Sequence, residues 1–232
     1  MGRHHPERHR IEHLAWLRAS VMGANDGILS IGALLVGLAG ASVARNDLLI
    51  AGFAGAVAGA ASMAMGEYVS VSAEKDTFEA EHALEQHELL TDPSGETEEL
   101  RAIWQKRGLS PDLARAVATE LMEHDALGAH MRDELGYVEM KRPQPLLAAV
   151  SSFVSFWIGA LIPLTAAALS TSGLRGQLTA AATIIALVTL GSLAAWLSGS
   201  SVIRGALRVS AGGLLALALS HGAGRLFGTG FG

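Results

Sequence analysis

The sequence predicts an all-α membrane protein: five transmembrane helices, with a cytosolic three-helix acidic insert between the second and the third spans. Three observations predict it. Half of the 232 residues are hydrophobic, 5% are aromatic, 27 are glycine and the mean hydropathy is +0.35. That is too apolar and too glycine-rich for an ordinary soluble domain. Five stretches are long and apolar enough for a bilayer, which needs about 20 such residues per helix. The charge is also segregated. Residues 71–142 carry 17 acidic and 8 basic side chains, a net of −9, whereas the rest of the chain is at +4. These contrasts divide the chain into a basic N-terminal segment (1–18), two spans (19–70), an acidic helical module (71–142) and three further spans (143–228).

The N-terminal segment, MGRHHPERHRIEHLAWLR, has no apolar stretch ahead of the first span, so no cleavable signal peptide is expected. Pro6 removes a myristoylation match. The chain has no cysteine, which excludes disulfides and thiolate metal sites. The first span is expected at Ala19–Ala44, with Asp26 its single acidic charge, and the second at Leu48–Gly66. Nothing between Gly66 and Leu90 breaks a helix, so the second span is free to run on into the module. In the module, residues 73–90 form the first helix and DPSGE (92–96) breaks it. Residues 97–107 resume, and Gly108 stops the second helix. Ser110 and Pro111 then open a third as N-cap and first-turn residue. The third span lies within Pro143–Leu174 and contains Pro163, and the fourth lies within Gly176–Ile203. The fifth lies within Gly205–Gly224, interrupted only by Arg208, and also fits a buried or short helix. Gly23-x-x-x-Gly27, Gly55-x-x-x-Gly59 and Gly212-Gly213 suit close helix packing.

Lys and Arg placement sets the expected orientation. Arg3, Arg8, Arg10 and Arg18 precede the first span, whose far loop has only Arg45. Lys75, Lys141 and Arg142 flank the module. The N-terminus and the module are therefore expected in the cytosol and the C-terminus outside. The Ala/Gly/Arg-rich composition suggests a bacterial plasma membrane.

Asp26, in GANDGILS, falls about 10 Å inside the inner edge of the first span. An intramembrane carboxylate costs a few kcal/mol on insertion scales, which makes it a functional candidate. A packing role, bonded to Asn25 or Ser30, is the alternative. ASMAMGEYVSVSAEKD (61–76) places Met63 and Glu67 one helical turn apart on one face. Met63 lies about 6 Å deeper than Glu67, at the depth of Asp26 if the two helices are neighbours. A thioether in a membrane helix usually only packs, and Met65, on the opposite side, fits that role. Two carboxylates beside a thioether, however, suit Fe²⁺ better than Mg²⁺ or Ca²⁺, which take oxygen ligands.

In the module, Glu81, Glu85 and Glu88 share a helical face. Glu85/Glu88, Glu96/Glu99 and Glu120/Glu123 are three ExxE pairs, the last flanking Met122. Like charges at this spacing destabilise a helix unless a cation neutralises them or water solvates them, so a metal site and a solvated acidic face both fit. Glu79-x-x-His82 has the spacing of ferritin-like di-iron bundles, but the module is too short for four long helices. No nucleophile elbow, phosphate loop or HExxH is present, so no enzyme is expected. The acidic soluble part disfavours nucleic acid.

GANDGILS, SMAMGEYVSVSAEKD and GLSPDLARAVATELMEHDAL with the later RDELG resemble the vacuolar iron transporter family and its nodulin-21-like and bacterial relatives. The resemblance covers nearly the whole chain. It implies a homodimer of five-helix subunits that exports Fe²⁺, often also Mn²⁺, from the cytosol in exchange for protons. Asp26 and Met63 would line the path between the subunits, with Glu67 at its cytosolic mouth. Glu85, Glu88, Glu96, Glu99, Met122 and Glu123 would collect metal on the module. The family's third module helix carries paired methionines followed three residues later by a glutamate. Here Leu121-Met122 and Asp125 stand nearest to that pattern, and the linker ahead of the helix is short. A non-translocating metal sensor or storage scaffold, and a metal channel, are the rival expectations.

Overall fold

The computed structural model describes residues 14–137, 142–171 and 173–230. Arg3, Arg8, Arg10 and Lys141, used above for the orientation, and most of the 1–18 segment lie outside the described residues. Among the described residues there are seven helices and no strand. These are α1 (Leu14–Gly40), α2 (Arg45–Thr91), α3 (Pro93–Lys106), α4 (Pro111–Asp133), α5 (Pro145–Leu169), α6 (Arg175–Leu197) and α7 (Val202–Gly230). Five of them are long and apolar enough to cross a membrane: α1, α2, α5, α6 and α7. By contacts the chain divides into two compact units, Met1–Val69 with Leu146–Gly232, and Ser70–Pro145.

The first unit is a helical bundle whose core is built mainly from small and aliphatic side chains. Ile31 and Leu35 of α1, Ala56 and Ala60 of α2, and Phe156 and Ala160 of α5 are buried together. Large apolar side chains such as Ile50, Ile158, Ile185 and Leu219 are 60–67% exposed. In a multi-pass membrane protein such a surface faces lipid. Close backbone approach explains the glycines of α1. A Cβ on Gly27 would lie 2.1 Å from the carbonyl oxygen of Phe156, so α1 and α5 meet where no side chain fits. Across the other side of α1, the Ser220 hydroxyl on α7 donates to the Ala33 carbonyl at 2.6 Å.

Two span boundaries differ from expectation. The first span stops at Gly40 rather than running to Ala44, because Ser42 takes a φ of 60° and residues 41–43 fold back on the last carbonyls. The fifth helix is neither short nor buried: it runs for 29 residues, and Leu207, Leu214 and Leu219 on it are 57–65% exposed. Pro163 sits inside α5 without ending it.

The second unit is the acidic one. The helix that leaves the second span continues unbroken to Thr91, 47 residues in all. At 1.5 Å per residue that is about 70 Å, far more than a hydrocarbon core of about 30 Å. Only its apolar part, residues 48–66, fits the membrane, and Glu74 to Glu88 lie beyond it. The expected five-residue break at DPSGE is a single residue. Asp92 caps α3 by accepting from the Gly95 N–H at 2.9 Å, and Pro93 occupies the first turn. Gly108 ends this helix region with φ +103°, a conformation that glycine adopts without a Cβ clash. Ser110 is the N-cap of α4 but makes no side-chain cap bond. The third module helix is interrupted at Asp125, whose backbone is extended (φ −161°, ψ 79°) and whose carboxylate accepts from the Gly128 N–H at 3.1 Å. Asp125 thus caps a separate last segment, residues 126–133. Leu100, Ala118 and Ala129 form the module's apolar core, and Arg107 pins α3 to the end of α4 through Asp133 at 2.6 Å.

Candidate metal centre

The last segment of α4 carries His130 into a ring of carboxylates. Its Nδ1 lies 3.0 Å from Glu85 Oε1, 3.6 Å from Glu96 Oε2 and 3.1 Å from Glu134 Oε2. Glu85 comes from α2, Glu96 from the first turn of α3, and Glu134 from one helical turn beyond His130. His130 is fully buried, and Glu85 and Glu96 are 4% and 9% exposed. Two buried carboxylates, with a third at the edge, gathered around one buried imidazole make a place that favours a cation. Of these contacts the one with hydrogen-bond alignment is between Nδ1 and Glu134 Oε2. Glu85 Oε1 and His130 Nε2 are buried without a hydrogen-bond partner.

The distances fit ligands that share one ion. Two donors about 2.1 Å from a metal are about 3.0 Å apart at an octahedral angle and about 3.4 Å apart at a tetrahedral one. One ligand atom from each of Glu85, Glu96 and His130 falls within 4.8 Å of the others. Burial pushes the Glu85 carboxyl up to about 7, with His130 opposing and the charges of Glu134, Glu96 and Glu88 adding to it. Burial likewise raises Glu96, against His130 and with Glu99 and Glu88. A divalent ion would reverse both shifts by favouring the charged forms. Imidazole with carboxylates is a donor set for Fe²⁺, Mn²⁺, Zn²⁺ and their neighbours rather than for Ca²⁺.

The structure distributes the sequence candidates unevenly. Glu85 and Glu96 are in the cluster. Glu88 and Glu99 act on its charges from close by. Glu81 is half-buried, and Glu120 and Glu123 are exposed on α4. Met122 packs with Leu121 against the Leu100–Ala118–Ala129 core, and Asp125 is spent on capping Gly128. His130 and Glu134 were missed. Their signal was present in the sequence: His130-Met131 followed three residues later by Glu134 matches the paired-residue pattern sought at 121–125, nine residues on. In the other unit, Asp26 accepts from the Ser30 hydroxyl at 2.8 Å. Met63 packs, partly buried, on the bundle core, and Glu67 is half-exposed.

The profile of the VIT family matches residues 17–225 of this chain. The chain belongs to the VIT family. Among curated VIT relatives, a vacuolar iron transporter of Acanthamoeba castellanii is 41% identical over 214 residues, which is 91% of this chain and 78% of the relative. Vacuolar iron transporter homolog 1 of Oryza sativa subsp. japonica is 36% identical, over 92% of this chain and 74% of its own. Vacuolar iron transporter 1 of the same rice is 32% identical, over 94% and 88%. The VIT match runs through both compact units.

Proposed function

We propose that this protein exports a divalent transition metal, Fe²⁺ and also Mn²⁺, from the cytosol in exchange for protons. The observation that carries the reading is the buried Glu85–Glu96–His130 cluster, with Glu134 at its edge, a donor set for such an ion in a VIT-family chain with five candidate spans. Relatives named as vacuolar iron transporters support iron as the cargo. The module, with its net negative charge and cytosolic in this reading, concentrates metal by electrostatics. Glu67 receives the ion at the membrane edge. Asp26 and Met63 bind it once part of its water is lost. When the ion leaves, Asp26 takes a proton, and that competition couples the two flows. Two copies of the chain form the path in this scheme, with the N-terminus and the module in the cytosol, in a bacterial plasma membrane.

The test is metal flux into sealed proteoliposomes, Fe²⁺ against Mn²⁺, with and without an imposed pH gradient. Flux that rises with the gradient supports exchange. Flux that ignores it makes the protein a channel. Metal held by the module with no flux at all makes it a membrane-bound sensor or store.

A further inference from the structure

A second charged site lies in the membrane unit, at the end of the bundle where α1 turns into α2. A cavity of about 1080 Å³ opens there between α1, α6 and α7. Three of its lining residues carry or can carry positive charge, Arg45, Arg175 and His221, and none is a carboxylate. Arg175 is only 9% exposed, and its Nε has no hydrogen-bond partner. A buried guanidinium without a counter-charge is costly, and it stays charged because arginine does not deprotonate in proteins.

The backbone adds to the same field. Arg175 is the first residue of α6, and Leu174, the N-cap, supplies no side-chain cap. The first intrahelical bond formed from this end is the Leu178 N–H to the Leu174 carbonyl. The N–H groups of Arg175, Gly176 and Gln177 therefore have no carbonyl of their own helix to meet. All three residues line the cavity. An uncapped helix N-terminus together with a buried, unpaired guanidinium is an anion site built from two independent sources. Arg45 stands at the rim, with Nη2 donating to the Ala168 carbonyl.

Below the cations the walls are apolar: Val36, Ile184, Ile185, Leu214 and Leu217. Ile185 and Leu214 are 66% and 57% exposed on the bundle surface, which faces acyl chains in a membrane. The occupant is thus an anion attached to a hydrocarbon tail. We propose that this cavity binds the phosphate headgroup of an anionic lipid, with Arg175 and the α6 N-terminus on the phosphate and the acyl chains along α6 and α7. The lipid would neutralise the buried Arg175 and tie α1, α6 and α7 together at that end.

The test uses the full chain, purified without metal in an uncharged maltoside detergent. Phosphatidylglycerol, phosphatidylcholine and inorganic phosphate are added separately. Retained lipid is counted by native mass spectrometry and melting temperature is followed. Phosphatidylglycerol is expected to be retained and to raise the melting temperature, with phosphatidylcholine doing much less. Arg175→Gln is expected to weaken phosphatidylglycerol retention by about tenfold, the scale of one lost charge-assisted bond. Equal effects of the two lipids would overturn the proposal, as would unchanged retention in Arg175→Gln. If inorganic phosphate gives the whole shift and the lipid adds nothing, the site takes a free anion and the lipid assignment falls. The comparison of the three additives on the unaltered chain decides the matter even if Arg175→Gln does not fold.

Discussion

The Nδ1 of His130 lies 3.0 Å from Oε1 of Glu85, across 45 residues of sequence, and neither side chain is more than 5% exposed. The pair joins the long α2 to the last segment of α4, and Glu96 and Glu134 complete the ring. Metal affinity of the module should therefore depend on His130 more than on any acid of the exposed α4 face. His130→Ala should weaken Mn²⁺ binding to the purified protein by at least about tenfold. Glu120→Gln and Glu123→Gln should leave it within about twofold, since an exposed charge acts weakly on the cluster. Titration calorimetry reads both, and equal losses in all three variants would move the site to the α4 face.

The pH dependence of stability should change sign when metal is added. Glu85 binds its proton more tightly folded, up to about 7, than its ordinary 4.5, because burial disfavours the anion. Between those two values the folded metal-free module holds more protons than the unfolded chain, so its stability falls as pH rises through that window. Metal needs the carboxylates ionised, so with excess Mn²⁺ stability should rise over the same window. Melting curves from pH 4.5 to 7.5, with chelator and with Mn²⁺, would show the two opposite slopes. Parallel slopes would mean that Glu85 is not a ligand.

Asp26→Asn should reduce proteoliposome flux to background while the protein still inserts and keeps its oligomeric state in detergent. The Ser30 hydroxyl that bonds Asp26 at 2.8 Å holds the carboxylate in one rotamer. Ser30→Ala should therefore slow flux without abolishing it. An active Asp26→Asn protein would remove this residue from the proposed coupling.

Gly27→Ala tests the packing of the membrane unit. Its added methyl would lie 2.1 Å from the Phe156 carbonyl, a backbone atom that cannot swing away. The expected cost is about 1–3 kcal/mol, the range for overpacking a tight contact. Gly212→Ala, where the same methyl meets nothing within 4 Å, is the control and should be close to neutral. Detergent-resistant melting temperatures of the two variants give the comparison.

Asp125→Ala should loosen the site from a distance. It removes the cap on Gly128, worth about 1 kcal/mol. The last segment of α4 would then be free to join the first as one straight helix, which moves His130 off Glu85. Metal affinity should fall along with the melting temperature, whereas Leu113→Ala on the exposed outer face should change neither appreciably.

Much of this architecture was legible in the sequence because its cause is local. Uninterrupted apolar runs of about 20 residues specify the spans, and the lack of any breaker from Gly66 to Leu90 specified the long α2. The module site was legible only by halves. Glu85 and Glu96 stood out as ExxE members, but their burial depends on what packs over them. His130 carries no local signal of burial, since its place comes from the turn at Asp125. That turn is a capping bond in the middle of a helical pattern, and periodicity does not reveal it. Once Asp125 is seen to cap, the acid-rich stretch 120–125 becomes the outside of a helix, and the pattern His130-Met131-x-x-Glu134 becomes the inner one. Arg175 likewise stands out only through its burial, which leaves its Nε without a partner.

Glu85, Glu96 and His130 come from three successive helices of one compact unit, and all of them leave the ribosome ahead of α5. A chain stopped anywhere short of residue 130 has two buried-type acids and nothing to close over them. Once residue 134 has emerged, the pocket can form before the last three of the five spans have left the ribosome. If the module binds the metal as proposed, a nascent chain would hold it before it has any route across the bilayer. Truncated products that keep the module but lack α5–α7 would sequester metal rather than move it.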